Sequence, residues 1–207
     1  MRITILLYDD MTALDAIGPY EVLSRLPGAS VTFVAQEKGL VTTDTGFLRL
    51  SADRSIAQVS STDILLIPGG KGSRQVLTQP AIVDWVRGIH TTTRYTTSVC
   101  TGSLVLGAAG LLHGLKATTY WSVLDMLEKF GAEPCAERFV EQGKIITAAG
   151  VSAGIDMALW LVGEIGGTEL AQAIQLGIEY DPQPPFDTGS PSKSNETLIR
   201  MALEVVD

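Results

Sequence analysis

Short apolar runs alternating with segments of helical period predict an α/β fold: a doubly wound, mostly parallel sheet of the flavodoxin type with helices on both faces. Three observations carry that prediction. The strand candidates at 2–8, 31–35, 63–67 and 95–99 are brief and rich in Ile, Leu, Val and Thr. Those at 2–8 and 63–67 are almost continuously apolar, as strands buried on both faces require. Between strands lie turn residues that lead into stretches whose apolar positions recur every three or four residues. The 207 residues are expected to form one domain, 1–207, large enough to bury a core without disulfides or metals.

Taken in order, residues 2–8 read as the first core strand, too short an apolar run for a signal peptide or a membrane span. Asp9-Asp10 turns the chain, and Met11 to Leu23 leads into a helix in which Pro19 is acceptable only near a helix start or a kink. Asp15 follows the carboxyl end of that strand, the edge where open α/β sheets bind ligands, so its carboxylate has a functional reading. Its spacing alone favours a helix cap. Val31–Ala35 is the second strand, and 40–50 resembles an edge hairpin centred on 42–46. Asp63–Ile67 runs into Pro68-Gly69-Gly70-Lys71-Gly72, where glycines let backbone N–H groups approach a ligand. The spacing lacks the Gly-Lys-Ser/Thr ending of a P-loop, which leaves Gly69 and Gly70 equally readable as a simple turn or as an anion or oxyanion site. Pro80 opens a helix with Ile82, Val86 and Ile89 on one face.

Tyr95–Leu112 reads as strand, sharp turn and helix, with the junction on Cys100. Small residues at Gly102 and Ser103 allow the tight turn. A cysteine is more often a small buried hydrophobe than a catalyst, but a strained elbow at a helix start is a costly place for an inert residue. The helix N-terminus there favours the thiolate, and such cysteines fall from a pKa of about 8.5 to roughly 3.5–7.5.

Lys116–Trp121 is strand-like, and Ser122 caps a helix carrying Val123, Leu127 and Phe130. Tyr120 and Trp121 are candidates to line a pocket, although a core role is the commoner one for Trp121. Residues 139–147 form a hairpin, and nearby Cys135 is read as a structural thiol. The small residues of 148–154 suit close packing, with Ser152 capping the next helix through Leu161. A helix at 168–179 ends at a proline-rich arm, 181–191, which carries one last helix back to the body or across to a partner subunit.

Composition excludes several classes. A net charge of −8, from 23 acids against 15 bases with no basic cluster, argues against nucleic acid. Two cysteines and two histidines cannot build a recognisable zinc site, so no metal is expected, and sparse cysteine fits the cytoplasm. At 45% hydrophobic residues the chain has apolar surface to spare for a subunit interface. With His90 in a helix tail and His113 past the elbow helix, no imidazole is well placed to pair with Cys100, and a carboxylate must serve instead.

These residues resemble a known family. Ser98 to Leu112 is similar to the cysteine elbow of the ThiJ/PfpI superfamily, whose domains are class I glutamine amidotransferase-like. Leu14-Asp15 with Gly18-Pro19, Ile67-Pro68-Gly69-Gly70, Ala117-Thr118-Thr119 with Trp121, Ala153-Gly154-Ile155-Asp156, and Glu179-Tyr180 running into Pro184-Pro185-Phe186 narrow the resemblance to its isocyanide hydratase branch and close regulator-like relatives. The resemblance implies a cofactor-free homodimer that hydrates isocyanides to N-formamides, with Cys100 as nucleophile, Asp15 as general acid/base and Thr101 as a helper at the elbow. Protease-like members place histidine where this chain has Thr101, deglycase-like members carry a glutamate near the thiol where Asp15 is the candidate here, and many relatives have histidine in place of Tyr120. Two competing readings remain, a glyoxalase or deglycase acting on small dicarbonyls and a non-enzymatic sensor in which Cys100 oxidises. The regulator-like relatives append a DNA-binding domain, and DNA contact by that route is not expected here.

Overall fold

The structure is a computed structural model and describes residues 1–206. The strands are β1 Arg2–Leu6, β2 Ser30–Ala35, β3 Gly39–Thr42, β4 Arg49–Ala52, β5 Arg54–Ser55, β6 Ile64–Ile67, β7 Tyr95–Val99, β8 Lys116–Ala117, β9 Glu133–Pro134, β10 Phe139–Gln142 and β11 Ile145–Ala148. The α-helices are α1 Ala13–Leu23, α2 Ser73–Val76, α3 Pro80–His90, α4 Gly102–Ala108, α5 Ala153–Gly166, α6 Thr168–Gly177 and α7 Glu196–Val206.

Seven strands form the main sheet in the order β10-β11-β7-β6-β1-β2-β5, parallel except for the antiparallel β10 at one edge. This is the flavodoxin-like α/β arrangement. β6 and β11 are buried at every residue, which is why their sequences are apolar or hydroxylated without alternation. The chain steps from β1 to β2 on one side, then returns through β6 to the other, so the strand order reverses between β1 and β6. Right-handed crossovers running in opposite directions put their helices on opposite faces. Accordingly α1 packs with α5 and α5 with α6, while α2, α3 and α4 pack together. No described helix is long and apolar enough to cross a membrane.

Several local expectations change. Pro19 lies in the middle of α1, not near its start. Its missing N–H deprives the Asp15 carbonyl of its usual helical donor. Residues 121–130 form a 3-10 helix kinked at Val123, whose φ is −127°, and Tyr120, not Ser122, occupies the cap position. The strand read at 116–121 shrinks to Lys116–Ala117, because Thr118 and Thr119 turn inward to bond with β11 and the Cys100 carbonyl. Ser152 caps α5 by position without a capping hydrogen bond, its hydroxyl instead accepting from Arg138. Trp121 and the α7 residues Leu198, Met201 and Ala202 line a cavity of about 410 Å³ together with Gly189 and Pro191 of the arm.

Candidate active site

β7 ends one residue before Cys100, and the backbone there turns at once into α4. Cys100 has φ of 56°, in the left-handed region that non-glycine residues rarely occupy. The surroundings hold that strain in place. The Cys100 N–H donates to the Ala149 carbonyl at 2.7 Å, and its own carbonyl accepts from Thr119 Oγ1 at 2.9 Å and Ser103 Oγ at 3.3 Å. The turn also requires glycine behind it, since a Cβ at Gly102 would fall 2.2 Å from the Ile67 carbonyl oxygen.

Asp15 is fully buried in the first turn of α1 and does not cap it; Thr12 holds the cap position. The cap reading suggested by spacing is therefore overturned, because the side chain turns into the molecule. Its Oδ2 accepts the Gly69 N–H at 2.9 Å, while Oδ1 is buried without a partner among the described residues. Burial raises the Asp15 pKa to about 7; the Gly69 N–H pulls it back, nearby Asp44 raises it further, and the Cys100 thiol lowers it.

The thiol moves opposite to the direction expected from a helix start. Burial pushes the Cys100 pKa up and the Asp15 charge adds to it, whereas backbone N–H groups of Thr101 and Val151 and the Thr101 hydroxyl pull it down. Desolvation outweighs the terminus of a seven-residue helix. Cys100 and Asp15 thus act on each other's titration, and together they favour holding a single proton. Tyr8 belongs to the same buried cluster: its hydroxyl donates to the Pro68 carbonyl at 2.5 Å, and burial, then Asp15, then Cys100 raise its pKa.

Gly69 and Gly70 come off β6, at the switch point itself, one strand away from the end of β7 that bears Cys100. Gly69 is pressed against the elbow, where a Cβ would lie 2.4 Å from the Thr101 nitrogen and 2.8 Å from the Cys100 Cβ. Its N–H is committed to Asp15. The Gly70 N–H donates to Thr101 Oγ1 at 2.9 Å, Ser73 Oγ donates to the same oxygen at 2.9 Å, and Thr101 Oγ1 donates back to the Gly70 carbonyl at 3.1 Å. These bonds make the Thr101 hydroxyl a tie between the glycine loop and the elbow.

A cavity of about 30 Å³ opens at Cys100, walled also by Thr12, Asp44, Gly70, Tyr120 and Val151. Lys71 and Arg74 contribute to the same walls. Trp121 does not reach this cavity and lines the neighbouring spaces instead. Sequence reading missed Tyr8, Thr12, Asp44 and Val151. Asp44 arrives on the β3–β4 hairpin and accepts a 2.6 Å bond from Thr12 Oγ1. Val151 arrives on the small-residue passage after β11, where the pattern that suggested close packing was the available signal. The histidines stand elsewhere: His90 bonds Thr96 at the opposite end of β7, and His113 packs against Gly131. Cys135 donates to Glu137 at 3.3 Å. Among the described residues no cluster of three or more His, Cys, Asp or Glu side chains is arranged to hold a metal ion.

The site can do nucleophilic chemistry with an adjacent carboxyl group that gains or loses a proton near neutral pH. A model of the DJ-1/PfpI family matches residues 1–164. Isonitrile hydratase of Pseudomonas putida is 42% identical over 199 residues, covering 96% of this chain and 87% of that protein. Deglycase PfpI of Pyrococcus furiosus is 27% identical over 150 residues, 72% of this chain and 89% of its own. The crystal structure of a THiJ/PfpI family protein from Pseudomonas syringae superposes with a TM-score of 0.95 at 37% identity, covering 99% of this chain and 85% of that one.

Proposed function

The chain belongs to the DJ-1/PfpI family, and from that premise we propose that it is an isocyanide hydratase, adding water to an isocyanide to give an N-substituted formamide. The observation that carries the mechanism is the buried Asp15 carboxyl group, anchored through one oxygen by Gly69 and acting on the titration of Cys100 at a strained elbow.

In this reading the Cys100 proton passes to Asp15 as the thiolate attacks the terminal isocyanide carbon. Asp15, or a water it holds, then protonates that carbon, and the product is a thioimidate, S–CH=N–R. Asp15, again a carboxylate, removes a proton from water as its oxygen adds to the same carbon. The tetrahedral adduct collapses with cleavage of the C–S bond, nitrogen takes up a proton, and the formamide leaves with the thiol restored. Oδ1 of Asp15, which has no hydrogen-bond partner among the described residues, is the oxygen available for both transfers. Thr101 is a positioning residue, since its hydroxyl ties Gly70 to the elbow. The scheme uses no cofactor. Gly70 and Tyr120 border the reacting head group, Gly69 acts through Asp15, and Trp121 serves the substituent beyond it.

Purified protein without added metal or nucleotide should convert an alkyl or aryl isocyanide to its formamide and process methylglyoxal poorly. Much faster consumption of methylglyoxal would replace this reading with dicarbonyl chemistry, and inertness toward both with ready oxidation of Cys100 would replace it with a sensor.

The protein is further proposed to be a cytoplasmic homodimer. Both cysteines are free, and Leu176, Phe186, Met201 and Val205 of α6, the arm and α7 are left exposed on one chain. Sedimentation at micromolar concentration should give twice the mass of one chain; a monomer would remove the assembly claim and leave the chemistry untouched.

A further inference from the structure

Hydration strips both protons from one water oxygen, because that oxygen ends as the formamide carbonyl. One proton goes to nitrogen and the other to the departing sulfur, and a single carboxylate would have to carry both. Asp15 is fully buried and is not among the walls of the cavity at Cys100. The carboxylate that walls it is Asp44. At about 30 Å³ the cavity has room for about one or two waters. Lys71 and Arg74, its other charged walls, offer no acceptor for a water proton.

Asp44 is mounted on the frame that also holds Asp15. The isolated β-bridge between Met11 and Thr43 docks the β3–β4 hairpin on the turn after β1. The Asp44 N–H donates to the Met11 carbonyl at 3.0 Å, and its Oδ2 accepts from Thr12 Oγ1 at 2.6 Å. The Thr12 N–H in turn donates to the carbonyl of Gly69, whose own N–H donates to Asp15. Thr12 and Gly69 thus tie the two carboxylates together. Thr12 occupies Oδ2 and leaves Oδ1 of Asp44 for a ligand. After burial, the Asp44 charge is the largest influence raising the Asp15 pKa, which puts the two groups within electrostatic reach.

We propose that Asp44 is a second catalytic carboxylate, which orients the water that hydrolyses the thioimidate and takes that water's second proton. As the water oxygen bonds to the thioimidate carbon, the C=N pair moves onto nitrogen, Asp15 takes one proton, and the remaining O–H donates to Asp44 Oδ1. Asp15 passes its proton to nitrogen. When the C–S bond breaks, the carbonyl forms with loss of the second proton to Asp44, which returns it through a cavity water to the thiolate. The inference rests on the hydratase reading and concerns its hydrolytic half; attack of Cys100 on the isocyanide does not use Asp44.

The test measures kcat for an alkyl isocyanide in the wild type and in Asp44→Asn, together with the fraction of Cys100 carrying the thioimidate in samples quenched at saturating isocyanide. Asparagine keeps an oxygen for the Thr12 hydroxyl and the backbone bond to Met11 but cannot take a proton. In Asp44→Asn kcat should fall at least about tenfold, the scale of one hydrogen bond to a charged group. The adduct fraction should rise, because formation of the thioimidate is spared and its hydrolysis is slowed; a merely structural anchor would not raise it. Should Asp44→Asn fail to fold, Thr12→Val, which removes the hydroxyl that holds Oδ2 and leaves the backbone bonds, should show the same two changes. A wild-type kcat in the folded variant, or a lower kcat without a larger adduct fraction, overturns the role of Asp44 and leaves the hydratase reading standing. A wild type that hydrates no isocyanide overturns the hydratase reading and this role with it.

Discussion

Cys100→Ala is expected to give a folded protein that forms formamide at least about 10⁴-fold more slowly, the scale on which loss of a covalent nucleophile registers. The thiol is buried, and no second nucleophile in the cavity shares its relation to Asp15. Alanine occupies less space than cysteine and carries the same backbone penalty at a φ of 56°. The bonds that fix the elbow, from Thr119, Ser103 and Ala149, all involve the Cys100 backbone and survive the substitution. A stability change of about 1 kcal/mol or less is therefore expected. Thermal melting beside a formamide assay separates loss of chemistry from loss of fold.

Asp15→Asn should also leave the fold intact and slow turnover by at least about a hundredfold, as loss of a general acid/base does. Asparagine keeps an oxygen for the Gly69 N–H but cannot exchange a proton with Cys100 or water. The substitution has a second signature, in stability. Burial raises the folded-state pKa of Asp15 from 3.8 to about 7, so between those values the folded chain holds a proton that the unfolded chain has released. Stability through this group is then greatest below the lower value, falls as pH rises toward 7, and stays reduced above it. Asparagine has no such dependence. Asp15→Asn should melt above the wild type at about pH 8, with the gap closing toward about pH 4. A tenfold or smaller loss of activity would reduce Asp15 to a structural carboxyl group, and a melting difference independent of pH would contradict its raised pKa.

The strands were legible because burial on both faces leaves a local mark: β6 and β7 appear as short apolar or β-branched runs ending at glycines and at Cys100. The elbow was legible for the same reason. What the sequence could not show is what the fold gathers from far away. Asp44 reaches the cavity on a hairpin whose own pattern says only edge strand, and Tyr8 looks like one more residue of a core strand. The direction of the thiol's pKa depends on burial and on Asp15, 85 positions away, whereas the local sequence displays only the helix start. For Asp15, spacing alone favours a cap, because helix spacing gives the position of a side chain along the axis and not whether it turns outward to the backbone or inward to the sheet edge.

The covalent account is tested most directly by mass spectrometry of the wild-type protein quenched during reaction with an isocyanide. The peptide containing Cys100 should gain the whole mass of the isocyanide, as a thioimidate requires. Formamide release without any such adduct, or an adduct confined to Cys135, would contradict it.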